Sequence, residues 1–293
     1  LEDGGDITWE SSNINVATVD SETGAVAVVG TGTATIKAKA AAVPGKYAKD
    51  EASYTLIVGQ KEVIPSINCA KTTKEYDGTT TVSGASIDLE GIVGQDNVSA
   101  TAEFAYDTKN TDAKLIKATR IELTGNKAAN YRLSANQIQT SGTITAKALN
   151  INGITVIPRE YDGTDRVVLN GGSLVGVIGS EDVSFNLGQG IVASADAGTD
   201  KAVTTDIKLA GADAGNYKLV QPESLKVTIT AKAITISGVT AISRIYDGTE
   251  TVELEGGALN GLCSGDKVGF DLGNGMLADK NVGTDKPVTA NIA

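Results

Sequence analysis

The sequence predicts an all-β chain in which several small β-rich modules follow one another in an extended array. Three observations predict this class: a motif that recurs at a fixed interval, runs in which apolar and polar residues alternate, and Gly and Asp clusters that break those runs. No long stretch has the i, i+3, i+4 apolar spacing of an amphipathic helix. We therefore expect at most short helical turns in the Gly-rich connections.

The recurring motif is Tyr-Asp-Gly-Thr, which begins at Tyr76, Tyr161 and Tyr246, an interval of 85 residues. An Asn-Tyr pair follows late in the first two units, at 130–131 and 216–217. This period exceeds a solenoid repeat and suits a small independent domain. The predicted modules span residues 63–147, 148–232 and 233–293. The third falls 24 residues short of the period, so we expect it to be incomplete or to leave an open sheet edge.

The alternation of apolar and polar residues within each module predicts strands. The sequence at the module boundaries predicts stiff connections between the modules. Val227, Ile229 and Ala231 alternate with Lys226, Thr228 and Thr230, which is the period-two pattern of a half-buried strand. Residues 143–151 and 228–236 cross the module boundaries without Pro or a Gly/Ser tract. We expect the last strand of one module to run into the first strand of the next, with little loose chain between them.

The first segment, residues 1–62, has a different pattern. Its landmarks are a Trp-bearing run at 7–13, the run Val-Ala-Thr-Val-Asp at 16–20, and the run Gly-Thr-Gly-Thr-Ala-Thr-Ile at 30–36. These runs resemble the bacterial Ig-like group 2 domain. The resemblance implies a partial sandwich, because the opening strand or strands of that family belong before Ile7 and are not in this chain. Trp9 is the predicted core anchor, since it is a large ring on an alternating strand.

The three later modules resemble the YDG domain of bacterial surface proteins. The resemblance rests on Tyr-Asp-Gly-Thr and on three further runs. These are the stretch from Gly261 to Val268, the run Gly-Thr-Asp-Lys that occurs at 198–201 and again at 283–286, and the run Gly-Asn-Tyr at 215–217. The first module departs from the pattern, with Asn110-Thr111-Asp112 for Gly-Thr-Asp and Ala129 in place of Gly215. The resemblance implies an extracellular, repeated domain on the bacterial cell surface with no assigned activity.

The Tyr-Asp-Gly motif is the first candidate site, and it has two interpretations. Tyr and Asp could contact a sugar or a cation. The structural interpretation is favoured: Gly tolerates positive φ, Asp caps its own backbone, and Tyr packs with its hydroxyl on a nearby backbone group. The predicted structural turn motif comprises Tyr76, Asp77, Gly78, Tyr161, Asp162, Gly163, Tyr246, Asp247 and Gly248.

Composition excludes much chemistry. The chain has no His and two Cys, which removes His-dependent triads and cysteine-only zinc sites. A net charge of −11 argues against a nucleic-acid surface, and no apolar run is long enough to insert in a membrane. We predict no catalytic, cofactor or metal site. A loop-bound Ca²⁺ and a glycosidase-type carboxylate pair are the weaker alternatives.

Two further chemistries concern cysteine and lysine. Cys69 and Cys263 do not occupy equivalent positions, so we predict two unpaired thiols and no disulfide. Lys147 and Lys232 are equivalent, which raises the alternative of an intramolecular isopeptide bond. The favoured interpretation is a solvated lysine at a strand end.

The leading functional prediction is a non-catalytic stalk segment of a bacterial cell-surface adhesin-like protein, which projects a distal domain and is attached to the envelope through regions outside this chain. One alternative is that the modules bind a host glycan or protein, for which Tyr47, Tyr54 and Tyr106 are the unassigned rings. Another is an accessory region of a large extracellular enzyme.

Overall fold

The computed structural model describes residues 6–293, which form two compact units, residues 6–147 and 148–293. Within the described residues the regular structure is β-strand with two single 3₁₀ turns, at Ala128–Asn130 and Ala214–Asn216. The predicted all-β class is therefore confirmed. None of the helices in the described range is long and apolar enough to cross a membrane.

The first segment forms one sheet and one hairpin. Its strands are β1 (Ile7–Ser11), β2 (Ala17–Val19), β3 (Val26–Val28), β4 (Gly32–Ala40) and β5 (Asp50–Val58). The sheet order is β1-β4-β5, all antiparallel, and β2 pairs with β3. Alternation on β4 buries Ala34 and Ile36, and Ala34 packs with Val16 and Ala17 in a small core.

Trp9 lies on β1 and is only half-buried, so it is not among the fully buried side chains of this segment. Its ring lies against the turn at Gly24, where an added Cβ would come within 2.6 Å of the indole. Trp9, the predicted core anchor, therefore lies at the edge of the core. The reason is that β1 is an edge strand with a neighbouring strand on one side only.

The first module is built from eight strands. They are β6 (Lys61–Cys69), β7 (Thr73–Glu75), β8 (Ala85–Glu90), β9 (Ser99–Tyr106), β10 (Leu115–Thr124), β11 (Tyr131–Leu133), β12 (Ile138–Ser141) and β13 (Thr143–Thr145). They form sheets of order β12-β10-β9 and β11-β6-β8, and β13 pairs in parallel with β7. The core between the sheets includes Ile87, Ala118 and Ile121.

The second module repeats this plan in nine strands. They are β14 (Lys147–Val156), β15 (Arg159–Glu160), β16 (Arg166–Val175), β17 (Ser184–Asn186), β18 (Gln189–Val192), β19 (Gly198–Thr204), β20 (Lys208–Ala210), β21 (Tyr217–Leu219) and β22 (Lys226–Thr230). Seven of them form a sheet of order β15-β22-β19-β18-β16-β14-β21. β22, the closing strand, is parallel to β15 and antiparallel to β19.

The third module has four strands, β23 (Thr235–Ala241), β24 (Thr251–Asn260), β25 (Asn274–Leu277) and β26 (Val288–Ala290), which are ordered β23-β24-β25-β26. The sheet ends at β26, and residues 6–293 contain no third closing strand. At the module boundaries, one residue separates β13 from β14 and residues 231–234 separate β22 from β23.

Candidate functional site

The Tyr-Asp-Gly turn has the same geometry in all three modules. Gly78, Gly163 and Gly248 have φ of 77°, 79° and 78°, a region that L side chains rarely adopt. In each turn the Asp Oδ1 accepts a hydrogen bond from the backbone N–H of the Thr two residues later, at 2.9, 2.8 and 2.9 Å in the first, second and third module. The geometry is that of an Asx turn.

A basic side chain forms an ion pair with the Asp of each turn, a contact that was not predicted from the sequence. Lys74 and Arg159 contact the Asp three residues later at 2.7 and 2.6 Å, and Arg244 pairs with Asp247 in the same way. Each cation also donates to the carbonyl of the motif Thr, at 2.7, 2.5 and 2.6 Å. The sequence does carry a sign of this contact, because a basic residue recurs at the same place before each motif, at the 85-residue interval.

These contacts lower the pKa of the motif carboxyls. In Asp247 the hydrogen bond from the Thr249 N–H, followed by that from Arg244, lowers the pKa to about 2. The hydrogen bond from the Thr164 N–H likewise lowers the pKa of Asp162. For Asp77, partial burial raises the pKa, but the hydrogen bonds from Lys74 and Thr79 outweigh it and the net shift is downward. All three carboxylates are occupied within their own turns.

We expect Asp247→Asn to weaken the acid dependence of stability. A carboxyl whose folded-state pKa is below its unfolded value stabilises the fold above about pH 4, and this contribution is lost as the pH falls through about 2. Thermal melts between pH 2 and 7 should show a smaller fall in midpoint for the variant than for the wild type. Identical slopes in the two proteins would contradict the assignment.

The motif tyrosines differ in exposure because their surroundings differ. Tyr76 is 1% exposed, Tyr161 is half-buried and Tyr246 is 61% exposed. In the first two modules the tyrosine N–H donates to the closing strand, to Thr145 O and Thr230 O at 2.8 Å in both cases. No strand in residues 6–293 presents an equivalent carbonyl to Tyr246.

Tyr161 joins two modules of the second unit. Its hydroxyl donates to Asp266 Oδ1 of the third module at 2.7 Å, and its carbonyl lies 3.9 Å from Cys263 Sγ. The predicted partner was a nearby backbone group, so this expectation is wrong for Tyr161. The error has a physical reason: the acceptor lies 105 residues away in sequence, and no local pattern specifies it.

The acceptor position itself recurs as Asp96, Glu181 and Asp266, one per module. In the first two modules it accepts from the Asn-Tyr tyrosine instead: Tyr131 donates to Asp96 at 2.6 Å and Tyr217 to Glu181 at 2.5 Å. In the third module it accepts from Tyr161. The same carboxylate position thus serves a contact within a module or between two modules.

We expect Tyr161→Phe to remove a pH-dependent contribution to the stability of the second unit. The hydrogen bond to Asp266 raises the pKa of Tyr161 to about 12. A tyrosine whose folded-state pKa exceeds its unfolded value stabilises the fold below about pH 10, and this is lost as the pH rises through about 12. The phenolate absorbance and thermal melts in this window should both change in the variant. Tyr246→Phe is the matched control, since that ring is largely exposed, and an equal response in both variants would contradict the prediction.

The first unit has its own junction contacts. The Thr31 N–H donates to Asn130 Oδ1 at 2.9 Å, and Thr31 Oγ1 donates to Ala129 O at 3.2 Å. Gln60 Nε2 donates to the same carbonyl at 3.0 Å. The Asn-Tyr segment of the first module therefore contacts the Ig-like segment directly.

The cysteines, lysines and unassigned tyrosine rings singled out from the sequence do not form a common site. Cys69 and Cys263 are free thiols. Lys232 Nζ lies 3.6 Å from Cys263 Sγ, and Lys147 Nζ lies 3.8 Å from Glu75. Of the unassigned rings, Tyr47 and Tyr54 are exposed and Tyr106 is buried. In the described part of the chain no three His, Cys, Asp or Glu side chains are grouped to hold a metal ion.

Comparison with known proteins agrees with these repeats. The family model described as "YDG domain" matches residues 59–139, 145–225 and 230–293, and the model "Intimin, immunoglobulin-like domain" matches residues 1–42. No curated protein matches the chain. A solved structure, "Crystal structure of Drosophila N-cadherin EC1-4", aligns at 12% identity and a TM-score of 0.22 over 79% of this chain and 67% of that one. The chain belongs to the YDG domain family, with three tandem YDG domains after an intimin-type Ig-like domain.

Proposed function

We propose that the chain is a non-catalytic stalk segment of a bacterial cell-surface adhesin-like protein. Its modules hold a distal domain away from the envelope, and attachment is made by other regions of the polypeptide. An intimin-type Ig-like domain followed by tandem YDG domains is compatible with a surface adhesin-like protein. The stalk role adds that the modules act as stiff spacers.

Direct side-chain contact between neighbouring modules carries the proposal. Tyr161 bonds to Asp266 in the second unit, and Thr31 bonds to Asn130 in the first. Residues 231–234 are the whole connection between β22 and β23. Short connections and specific hydrogen bonds restrict bending, whereas a Gly/Ser linker would leave the modules free to reorient.

The non-catalytic part of the proposal rests on the side chains that the sequence provides. The chain has no His, which is the commonest general base. The carboxylates of the repeated motif are held in their turns by Thr N–H groups and by Lys74, Arg159 and Arg244. These groups are engaged in structure, in the same way in every module.

Small-angle X-ray scattering on the whole chain tests the proposal. Modules of 85 residues have diameters of about 30 Å, so four segments end to end should reach roughly 100–130 Å with a rod-like distance distribution. A matched variant with a flexible Gly/Ser insertion after Lys232 should lose that distribution. A compact particle of about 60 Å, or a wild type as flexible as the insertion variant, would refute the stalk.

A further inference from the structure

The closing strand of each of the first two modules pairs in parallel with a short strand that lies early in the same module. In the first module the closing strand is β13, which lies alongside β7 with Ile144 opposite Lys74. In the second module β22 lies alongside β15, with Ile229 opposite Arg159. The early part and the end of each module are therefore joined directly by one pair of strands.

Backbone hydrogen bonds continue this pairing past the ends of the strands. The Tyr76 N–H donates to Thr145 O at 2.8 Å, and Thr145 Oγ1 donates to Lys74 O at 3.2 Å. In the second module the Tyr161 N–H makes the same contact with Thr230 O, also at 2.8 Å. The motif tyrosine thus adds a hydrogen bond to the parallel ladder in both modules.

Tension along the chain strains this pair of strands in shear. A pull on both ends of the chain draws the early strand toward its N-terminal end and the closing strand toward its C-terminal end. In a parallel pair these two directions are opposite along one axis, so the evenly spaced hydrogen bonds of the ladder are strained together. In two antiparallel strands joined by a hairpin turn, the same pull would break the bonds one after another. The parallel pair therefore requires several bonds to break in one step.

The paired strands lie on the path that the force takes through each module. Among the described residues β13 has β7 as its only strand partner, so force from the C-terminal side reaches the first module through this ladder. In the second module β22 is held by β15 on one side and by β19 on the other. Force from the N-terminal side reaches β7 through β6, which lies between β11 and β8.

A buried side chain opposes sliding of each closing strand. Ile144 and Ile229 are each 1% exposed, and Ile229 packs in one cluster with Val167 and Val192. Movement of either strand along its axis would draw the isoleucine out of a close-packed interior, and the lost contacts would not be replaced. The backbone ladder and the core packing therefore resist the same motion.

The Tyr-Asp-Gly turn keeps the early strand from separating at its other end. Lys74 on β7 donates from Nζ to Asp77 Oδ1 and to Thr79 O, both at 2.7 Å. Arg159 on β15 makes the corresponding contacts in the second module. Each basic side chain thus ties the turn back to the strand that pairs with the closing strand.

We propose that this parallel pair is a mechanical clamp that bears tension along the chain. The closing-strand clamp comprises Thr73–Glu75 with Thr143–Thr145 in the first module, and Arg159–Glu160 with Lys226–Thr230 in the second. It makes each of these modules unfold in one step under load. The inference rests on the proposed stalk role, because a stalk between an envelope and a distal domain is pulled whenever that domain is held.

Single-molecule stretching of the whole chain from its two ends tests the clamp. Each of the first two modules should extend in one discrete step of about 270 Å, because 85 residues span about 300 Å when extended and a folded module is about 30 Å across. Residues 1–62 and 233–293 are shorter and would give steps of about 180 Å. The length of a step therefore identifies the modules that carry the clamp.

The clamp variant is Ile144→Val with Ile229→Val, and the matched control is Ile121→Val with Ile207→Val. All four isoleucines are buried, but the control pair lies outside the clamp strands. Each substitution should lower the equilibrium constant for folding of its module by about fivefold. In the clamp variant nearly all of this factor should appear as faster unfolding at a fixed force, because the clamp contacts are broken in the transition state. In the control the rate should change by less than about twofold.

A clamp variant that unfolds no faster under load than the control would overturn the proposal. Gradual extension of the first two modules, without discrete steps, would overturn it as well. Either result is distinguishable from failure of the stalk role, which scattering tests without load. A rod-like particle whose modules extend gradually would refute the clamp and leave the stalk. A compact particle with clamp-dependent steps would refute the stalk and leave the clamp.

Discussion

Replacing Ile229 with alanine is expected to destabilise the second unit by about 3 kcal/mol. Ile229 is 1% exposed in the core cluster of the second module, on the strand that lies between β15 and β19. Truncation removes the transfer free energy of the lost methyl and methylene groups and leaves a cavity. The cavity is not easily closed, because hydrogen bonds hold the strand on both sides.

The matched control for this variant is Thr230→Val on the same strand. Thr230 is exposed, and its contact with Tyr161 is made by the backbone carbonyl, which the substitution retains. Valine also keeps the β-branched shape that strands favour. Denaturant unfolding followed by circular dichroism, with hydrogen exchange at β16 and β18, should show a large loss for Ile229→Ala and a change within about 0.5 kcal/mol for the control. Equal effects would mean that β22 does not close the core.

This prediction bears on the difference between the second and third modules. If the closing strand contributes several kcal/mol, a module without it keeps its turns and sheet but has a less stable core. The exposed Tyr246 and half-buried Val288 agree with that expectation. Hydrogen exchange should therefore be faster at β26 than at its counterpart β19.

The repeats and the strand class could be predicted from the sequence because both are local. The 85-residue interval and the alternation around Val227 and Ile229 are visible without any knowledge of packing. The Asp-Gly turn was likewise predictable, since positive φ at Gly163 follows from its residue type. The contact between Arg159 and Asp162 is also local, but Arg159 lies outside the Tyr-Asp-Gly motif and this ion pair was not predicted.

The contacts between modules could not be predicted in this way. Tyr161 meets Asp266 across 105 residues and Thr31 meets Asn130 across 99, and in each case the pairing depends on how two folded surfaces come together. The exposure of Trp9 is of the same kind, since it depends on which strands flank β1. Sequence patterns give the face of a strand, while the neighbour of that face is set by tertiary structure.

Replacing Gly211 with alanine is expected to destabilise the second unit by about 3 kcal/mol or more. Gly211 has φ of 104°, and a Cβ there would lie 2.3 Å from the carbonyl oxygen of Asp182. That carbonyl accepts a hydrogen bond from the Asp213 N–H at 3.1 Å, so the backbone cannot move away without breaking the turn. Strain and a backbone clash therefore act together.

The first module supports this assignment, because Gly125 has the same geometry, with φ of 107° and Asn97 O at 2.3 Å from the position of a Cβ. Gly215→Ala is the matched control: no atom lies within 4 Å of its Cβ position, and the first module has Ala129 there. Thermal and denaturant unfolding should show a large loss for Gly211→Ala and almost none for Gly215→Ala. If the two variants were equally stable, the close approach at Gly211 would not be a requirement of the fold, and the glycine would reflect only a flexible turn.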